Sequence, residues 1–458
     1  MIHLFQIQGD DLVYDSESQS LHLLDETARQ VLEAYRDAGG RTPGPDDMAR
    51  LAEKLGPDAA ECAAEIDQLI GSGDLFAPAE TVTLDQLYPD GTRIKSMCLH
   101  LCHDCNLRCQ YCFAGTGDFG TGRRTMLDEE TGRKAIDFLL ETSGGRHNLD
   151  IDFFGGEPLL NWPVVVSLTD YCERRSRETG KTIRLTITTN ATRLDDAKIA
   201  FINEHFKNCV LSIDGRPEVH NRMRPDAGGH GTYDRVARHI RSFVDTRGDR
   251  EYYLRATFTR HNLDFDQDVL HLAGLGSQLS VEPVVAPDGS GYEIRAEDLP
   301  AIEQAYERLA QAMLDAEERG EGFNFFHFMV DLSQGPCFYK RLKGCGVGTE
   351  YCAVTPEGDI YPCHQFVGIE SFKMGNVHDD PIRLDSSVQT QFSHLLVPDK
   401  PNCVSCWART FCGGGCAANA WFSTGHVDGV YEIGCRMERK RLECALWLEA
   451  RRKLRTTG

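Results

Sequence analysis

The sequence predicts an α/β protein in three parts, with an open or closed parallel barrel at its centre. Three observations carry that expectation. The 458 residues are roughly three times the ~150-residue mode for one domain. Between about residues 93 and 285, strand-like and helical runs alternate, the signature of a parallel sheet covered by helices. The 18 cysteines crowd into short tracts, ten of them beyond residue 336, where regular patterning fades. Hydrophobic residues at 41% and charged residues at 26% are ordinary globular usage and exclude extended disorder. No run approaches the ~18 apolar residues of a membrane span. With 70 acidic against 49 basic residues the net charge is −21, which repels a phosphate backbone, so neither nucleic acid nor membrane is an expected partner. The amino terminus, Met1-Ile2-His3-Leu4-Phe5-Gln6, has no basic region followed by an apolar stretch, and the cytoplasm is the expected compartment.

The elements follow in order. Residues 1–85 begin with alternating runs at Ile2–Ile7, Leu12–Tyr14 and Leu21–Leu24, which predict a small three-stranded sheet. Asp25 can cap a helix with Ala28, Val31, Leu32 and Tyr35 on one face, and helices over 46–55 and 58–70 follow before Gly71-Ser72-Gly73. The layout resembles a winged helix-turn-helix; its acidity favours peptide binding or a structural role over DNA. Residues 93–300 form the barrel, with strands at 149–154, 183–188, 210–213 and 252–258 and helices such as 128–142. Residues 301–335 are a connecting helix and bridge, with Ile302, Ala305, Tyr306, Leu309, Met313 and Ala316 on one face. Residues 336–458 show little regular pattern, and metal is expected to replace much of the core there.

In a reducing compartment clustered cysteines read as metal ligands rather than disulfides. Cys62, Cys172 and Cys209 stand apart and are expected to be small buried hydrophobes. In Cys105-Asn106-Leu107-Arg108-Cys109-Gln110-Tyr111-Cys112, three thiolates can converge from one loop. Three ligands leave one corner of a 4Fe-4S cube open to another ligand, whereas a structural zinc site closes with four. This loop resembles the signature of the radical S-adenosylmethionine (radical SAM) superfamily, Tyr111 before the last cysteine included. That resemblance implies a partial (β/α)6 barrel and a SAM-binding 4Fe-4S cluster on Cys105, Cys109 and Cys112. Phe154-Gly155-Gly156-Glu157-Pro158 resembles the family's next element, in which Gly155 and Gly156 let backbone approach a ligand and Glu157 pairs with the amino group of SAM. Thr189-Asn190 falls where family members contact SAM, and the run Ser212 to Arg224 looks like the segment whose serine and last arginine hold ribose and carboxylate.

Cys345, Gly358, Cys363, Cys403, Cys406, Cys412, Cys416 and Cys435 match in spacing the seven-cysteine layout of the SPASM domain, which implies two auxiliary 4Fe-4S clusters. By family ligation Cys403, Cys406, Cys412 and Cys435 hold one, and Cys345, Cys363 and Cys416 the other. Cys337, or less readily Cys352, is a candidate fourth ligand of the latter; without one, its vacant iron could bind a peptide thiolate. Zinc ribbons use comparable spacings.

These domains, with a winged module that resembles a leader-peptide recognition element, imply a maturase of ribosomally made peptides. Met97 to Cys109 and Thr355 to Gly368 look closest to the maturases of SCIFF peptides (ranthipeptides), which join cysteine sulfur to a threonine carbon as a thioether. The resemblance implies reductive cleavage of SAM to a 5′-deoxyadenosyl radical, hydrogen abstraction from the peptide, and attack by a peptide thiolate. The implied partners are a Cys-rich precursor with its leader and a low-potential flavodoxin or ferredoxin. Cys98, Cys102 and Cys352 have no assigned role. The rivals are maturases of quinohemoprotein amine dehydrogenase and anaerobic sulfatase-maturating enzymes; the latter place a catalytic Asp where this chain has His364, which with Cys337 is a candidate catalytic residue. A plain iron-sulfur carrier or zinc scaffold would explain the cysteines but not Gly155-Gly156-Glu157-Pro158.

Overall fold

The computed structural model describes residues 1–79, 83–88, 91–333 and 338–457. The amino-terminal sheet is antiparallel, in the order β1 (Ile2–Ile7), β2 (Asp10–Asp15), β3 (Leu21–Leu24). Asp25 caps the helix Glu26–Asp37 by accepting from Ala28 N, and the helices Pro45–Leu55 and Asp58–Ser72 follow. Val31, Leu32 and Tyr35 bury against Ala59, Ala63, Ile66 and Leu75 as a small separate core.

The central sheet has six parallel neighbours in sequence order: β4 (Ser96–Cys102), β5 (Asn148–Gly155), β6 (Thr182–Thr189), β7 (Asn208–Ser212), β8 (Tyr253–Phe258) and β9 (Gln278–Pro283). It is open. The parallel β10 (Asn324–Phe325) extends it beyond β9. At the other edge β11 (Tyr351–Val354) runs parallel to β4, followed by antiparallel β12 (Asp359–Tyr361) and β13 (Gly375–Asn376). The cysteine-rich segment thus completes the barrel's own sheet. Along β5 and β8 the buried residues alternate, Ile151 and Phe153, then Leu254, Ala256 and Phe258, under the covering helices. Asp152, Phe154, Arg255 and Thr257 take the opposite face, toward the interior.

The connecting helix Leu299–Glu318 buries the face its pattern predicts. It packs on a helix the sequence did not suggest, Glu432–Thr457. That 26-residue helix corrects the expectation of an irregular end. It packs on the connecting helix and on the amino-terminal sheet, so Leu442, Ala445, Leu446, Trp447 and Leu448 are all buried and make no single stripe. The amino-terminal sheet docks there: His3 stacks on Trp407 with ring centres 3.9 Å apart, Tyr14 buries against Trp407 and Leu446, and Trp447 Nε1 donates to Asp10 at 2.7 Å. Among the described residues no helix is long and apolar enough to cross a membrane.

Candidate cofactor and cluster sites

The loop after β4 carries Cys105, Cys109 and Cys112 across the carboxyl ends of the strands, where parallel α/β sheets place their sites. Its backbone is fixed from two sides. Arg108 N donates to Pro225 O and Gln110 N to Met223 O, at 2.8 and 2.9 Å. On the other side Gly156 N donates to Cys102 O and Glu157 N to Asp104 O. A Cβ on Gly155 would stand 2.4 Å from Cys102 O, and one on Gly156 would stand 2.0 Å from Asp104 O. The close approach these glycines allow includes the cysteine loop itself. Cys102 joins the same contact, its buried thiol reaching Asp104 O and Glu157 O at 3.3 and 3.0 Å.

Burial, then the charge of Glu157 and the neighbouring thiols, pushes Cys105 up to about 12; burial lifts Cys109 to about 11 against the pull of Arg224. Desolvated thiols that raise one another in this way ionise readily only when a cation joins them. Among the described residues no three His, Cys, Asp or Glu side chains converge on a point fit for a single ion. The donor set, three thiols on one loop, fits a thiolate-held cluster.

Around the loop lie the residues singled out for SAM. Glu157 is fully buried. Its carboxylate accepts from Thr189 Oγ1 at 2.6 Å, Asn190 N at 2.7 Å and Leu159 N at 3.0 Å, which leaves room for about one further donor. Burial still raises its pKa. Asn190 Nδ2 reaches Cys105 Sγ at 3.7 Å and Asn106 Oδ1 at 3.0 Å, and its Oδ1 accepts from Thr192. Tyr111, Asp214 and Arg224 form one buried group. The Tyr111 hydroxyl donates to Asp214 Oδ2 at 2.5 Å and accepts from Arg224 Nη1 at 2.8 Å, while that nitrogen lies 3.7 Å from Asp214 Oδ1. Arg224 Nε is buried with no hydrogen-bond partner among the described residues, a donor suited to a bound carboxylate. Ser212 ends β7 half-buried. Asp214 had no assigned role; its position within the run Ser212 to Arg224 was its signal in the sequence.

The carboxy-terminal thiols fall into two groups. Burial and then the charges of Cys416 and Cys345 raise Cys363, while burial and then Cys416 raise Cys345. Separately, burial and then Glu438, Cys435 and Cys403 raise Cys412, and burial and then Glu432 raise Cys435, with smaller contributions from Cys403 and Cys406. Cys337 lies outside the described residues. Cys352 sits in β11 opposite Met97, fully buried in the apolar core, as are Cys98, Cys172, Cys209 and Cys444. Cys62 is only half-buried, against the small amino-terminal core. His364 places its ring 5.2 Å from Phe154 and 5.4 Å from Phe113, and Nδ1 lies 3.0 Å from the Tyr351 hydroxyl. Burial, and then the charge of Arg255, lower it to about 4, so the imidazole is neutral near pH 7.

Residues 99–255 match the model of the radical SAM superfamily, and residues 345–407 match that of the iron-sulfur cluster-binding domain SPASM. The chain is 26% identical over 337 residues to the mycofactocin maturase MftC of Mycobacterium tuberculosis, covering 72% of this chain and 80% of that protein. Among solved structures, native anSMEcpe with bound AdoMet and Cp18Cys peptide aligns with a TM-score of 0.62 at 20% identity, over 76% of this chain and 96% of that one. Streptococcus suis SuiB bound to precursor peptide SuiA aligns with a TM-score of 0.52 at 16% identity, over 92% and 95%. The two domains imply a SAM-binding 4Fe-4S cluster and auxiliary clusters.

Proposed function

Because the chain carries a radical SAM domain and a SPASM iron-sulfur domain, we propose that it is a peptide maturase that installs Cys-to-Thr-type thioether crosslinks in a ribosomally made Cys-rich peptide. The observation that carries this reading is the position of His364. Directly after Cys363, its ring packs at a tilt against Phe154, which precedes Gly155, and against Phe113, which follows Cys112. One auxiliary thiol group and the SAM-side loop therefore flank a single space, and a neutral imidazole occupies the place where sulfatase maturation would use an acid.

In this assignment Cys105, Cys109 and Cys112 hold the SAM-binding cluster. Cys345, Cys363 and Cys416 hold one auxiliary cluster and Cys403, Cys406, Cys412 and Cys435 the other. With SAM bound, that chemistry supplies a 5′-deoxyadenosyl radical to the barrel interior. Glu157 offers its remaining acceptor site to the SAM amino group, Arg224 Nε meets the carboxylate, and Asn190 and Ser212 complete the polar lining. Tyr111 and Asp214 hold Arg224 in place. Phe113 and Phe154 line the space beside His364, and Phe113 meets Phe119 edge-on behind them. Residues 1–85 present a sheet edge to the leader as an added strand, and SuiB with its precursor peptide aligns over 92% of this chain. A low-potential flavodoxin or ferredoxin supplies electrons.

The test is co-expression with any short Cys-rich peptide encoded beside the gene, followed by mass spectrometry. Loss of two hydrogens and of one alkylatable thiol per crosslink is expected. A product that keeps every thiol, or carries an aldehyde as in formylglycine formation, would remove the thioether assignment.

A further inference from the structure

Inside the barrel, Arg255 has no carboxylate partner among the described residues. Arg255 lies at the middle of β8, between Leu254 and Ala256, whose side chains are buried under the covering helices. It therefore faces the interior, in register with Ser212 of β7 and Ser280 of β9. The residue is nonetheless exposed, so its guanidinium opens into the space the curved sheet encloses. Among the described residues it makes no ion pair and no side-chain hydrogen bond. Its charge reaches Asp152 on β5, Glu282 on β9, His327 after β10 and His364 after Cys363. These four stand on separate elements around it.

The nearby carboxyl groups are otherwise engaged. Asp152 accepts from Thr188 Oγ1 at 3.2 and 3.3 Å. Glu282 lies 3.6 Å from Arg441 and 3.4 Å from His327. A guanidinium open to this space and without a carboxylate partner among the described residues presents its planar donor fork to an incoming group, and a carboxylate matches that fork.

We infer that Arg255 is a specificity-determining residue that binds a carboxylate of the substrate peptide, from an Asp or Glu side chain or from the chain terminus, and so places that residue in the barrel interior. The inference rests on the peptide-maturase reading. It adds a requirement that reading does not contain: the segment entering the barrel is acidic.

The experiment compares three synthetic probes on the cluster-reconstituted, SAM-loaded full chain: acetyl-Gly-Asp-Gly-amide, acetyl-Gly-Asn-Gly-amide and acetyl-Gly-Asn-Gly with a free carboxyl end. Equilibrium binding is measured for wild type, Arg255→Gln and Arg255→Lys. Wild type is expected to bind at least one acidic probe about tenfold more tightly than the neutral one. Whichever acidic probe shows the preference identifies side chain or terminus. Arg255→Gln should bring that ratio to about one, and Arg255→Lys should keep most of it. Equal binding of all three probes by wild type overturns the inference, as does a preference that survives in Arg255→Gln, or SAM affinity lost in both variants with the ratio intact. A wild type that shows the ratio yet leaves the co-expressed Cys-rich peptide unmodified contradicts the maturase reading and leaves the Arg255 assignment standing.

Discussion

Glu157 shows how one side chain serves fold and site together. Its three buried hydrogen bonds tie the turn after β5 to the end of β6, directly behind Cys105. Glu157→Gln places an amide N–H2 against donors, so it should lower stability by about 1–3 kcal/mol, with a larger loss for Glu157→Ala; denaturant titration measures both. Asp152 makes a pH-dependent prediction. Burial pushes its carboxyl from the ordinary 3.8 up to about 7, partly relieved by Thr188 and Arg255. The folded protein keeps this proton where the unfolded chain has lost it, so stability falls as pH rises through that window and levels off above about 7. Between pH 6 and pH 8 wild type should lose about 1 kcal/mol relative to Asp152→Asn, read from paired thermal melts. At this scale the thiols and Glu157 were legible because spacing and a short motif mark them. The Tyr111–Asp214–Arg224 group was not, since its members are far apart in sequence and only folding aligns them. Arg255 was hidden in an ordinary strand pattern, because a charge facing an enclosed space reads the same as one facing water.

At the scale of elements, the strand and helix alternation of residues 93–285 was legible because each strand alternates a covered face with an interior one. The terminal helix was not, because it buries more than one face. That helix sets what removal of the amino-terminal module should do. The module is docked on Trp407, Leu442 and Leu446, so deleting residues 1–85 should uncover that apolar surface and cause aggregation or a marked drop in melting temperature, rather than leave an intact barrel. A gentler variant is Asp10→Ala. It strips Trp447 Nε1 and Arg451 of their acceptor and should cost about 1–3 kcal/mol with the sheet still folded. If leader peptides add to this sheet, amide exchange should slow at an edge strand, β1 or β3, with central β2 unchanged. Uniform exchange on adding a precursor peptide would refute strand addition.

For the whole molecule, one open sheet, extended beyond β4 by strands of the cysteine-rich segment, is joined to three sets of thiols. The most direct measurement is 5′-deoxyadenosine formation by the anaerobically reconstituted, reduced chain with SAM, alongside iron content, for wild type and the Cys105→Ala/Cys109→Ala/Cys112→Ala variant. Wild type should release 5′-deoxyadenosine, whereas the variant should release none and keep about two thirds of the iron, held by the auxiliary thiols. Undiminished 5′-deoxyadenosine from the variant, or none from wild type with its iron full, would contradict the account.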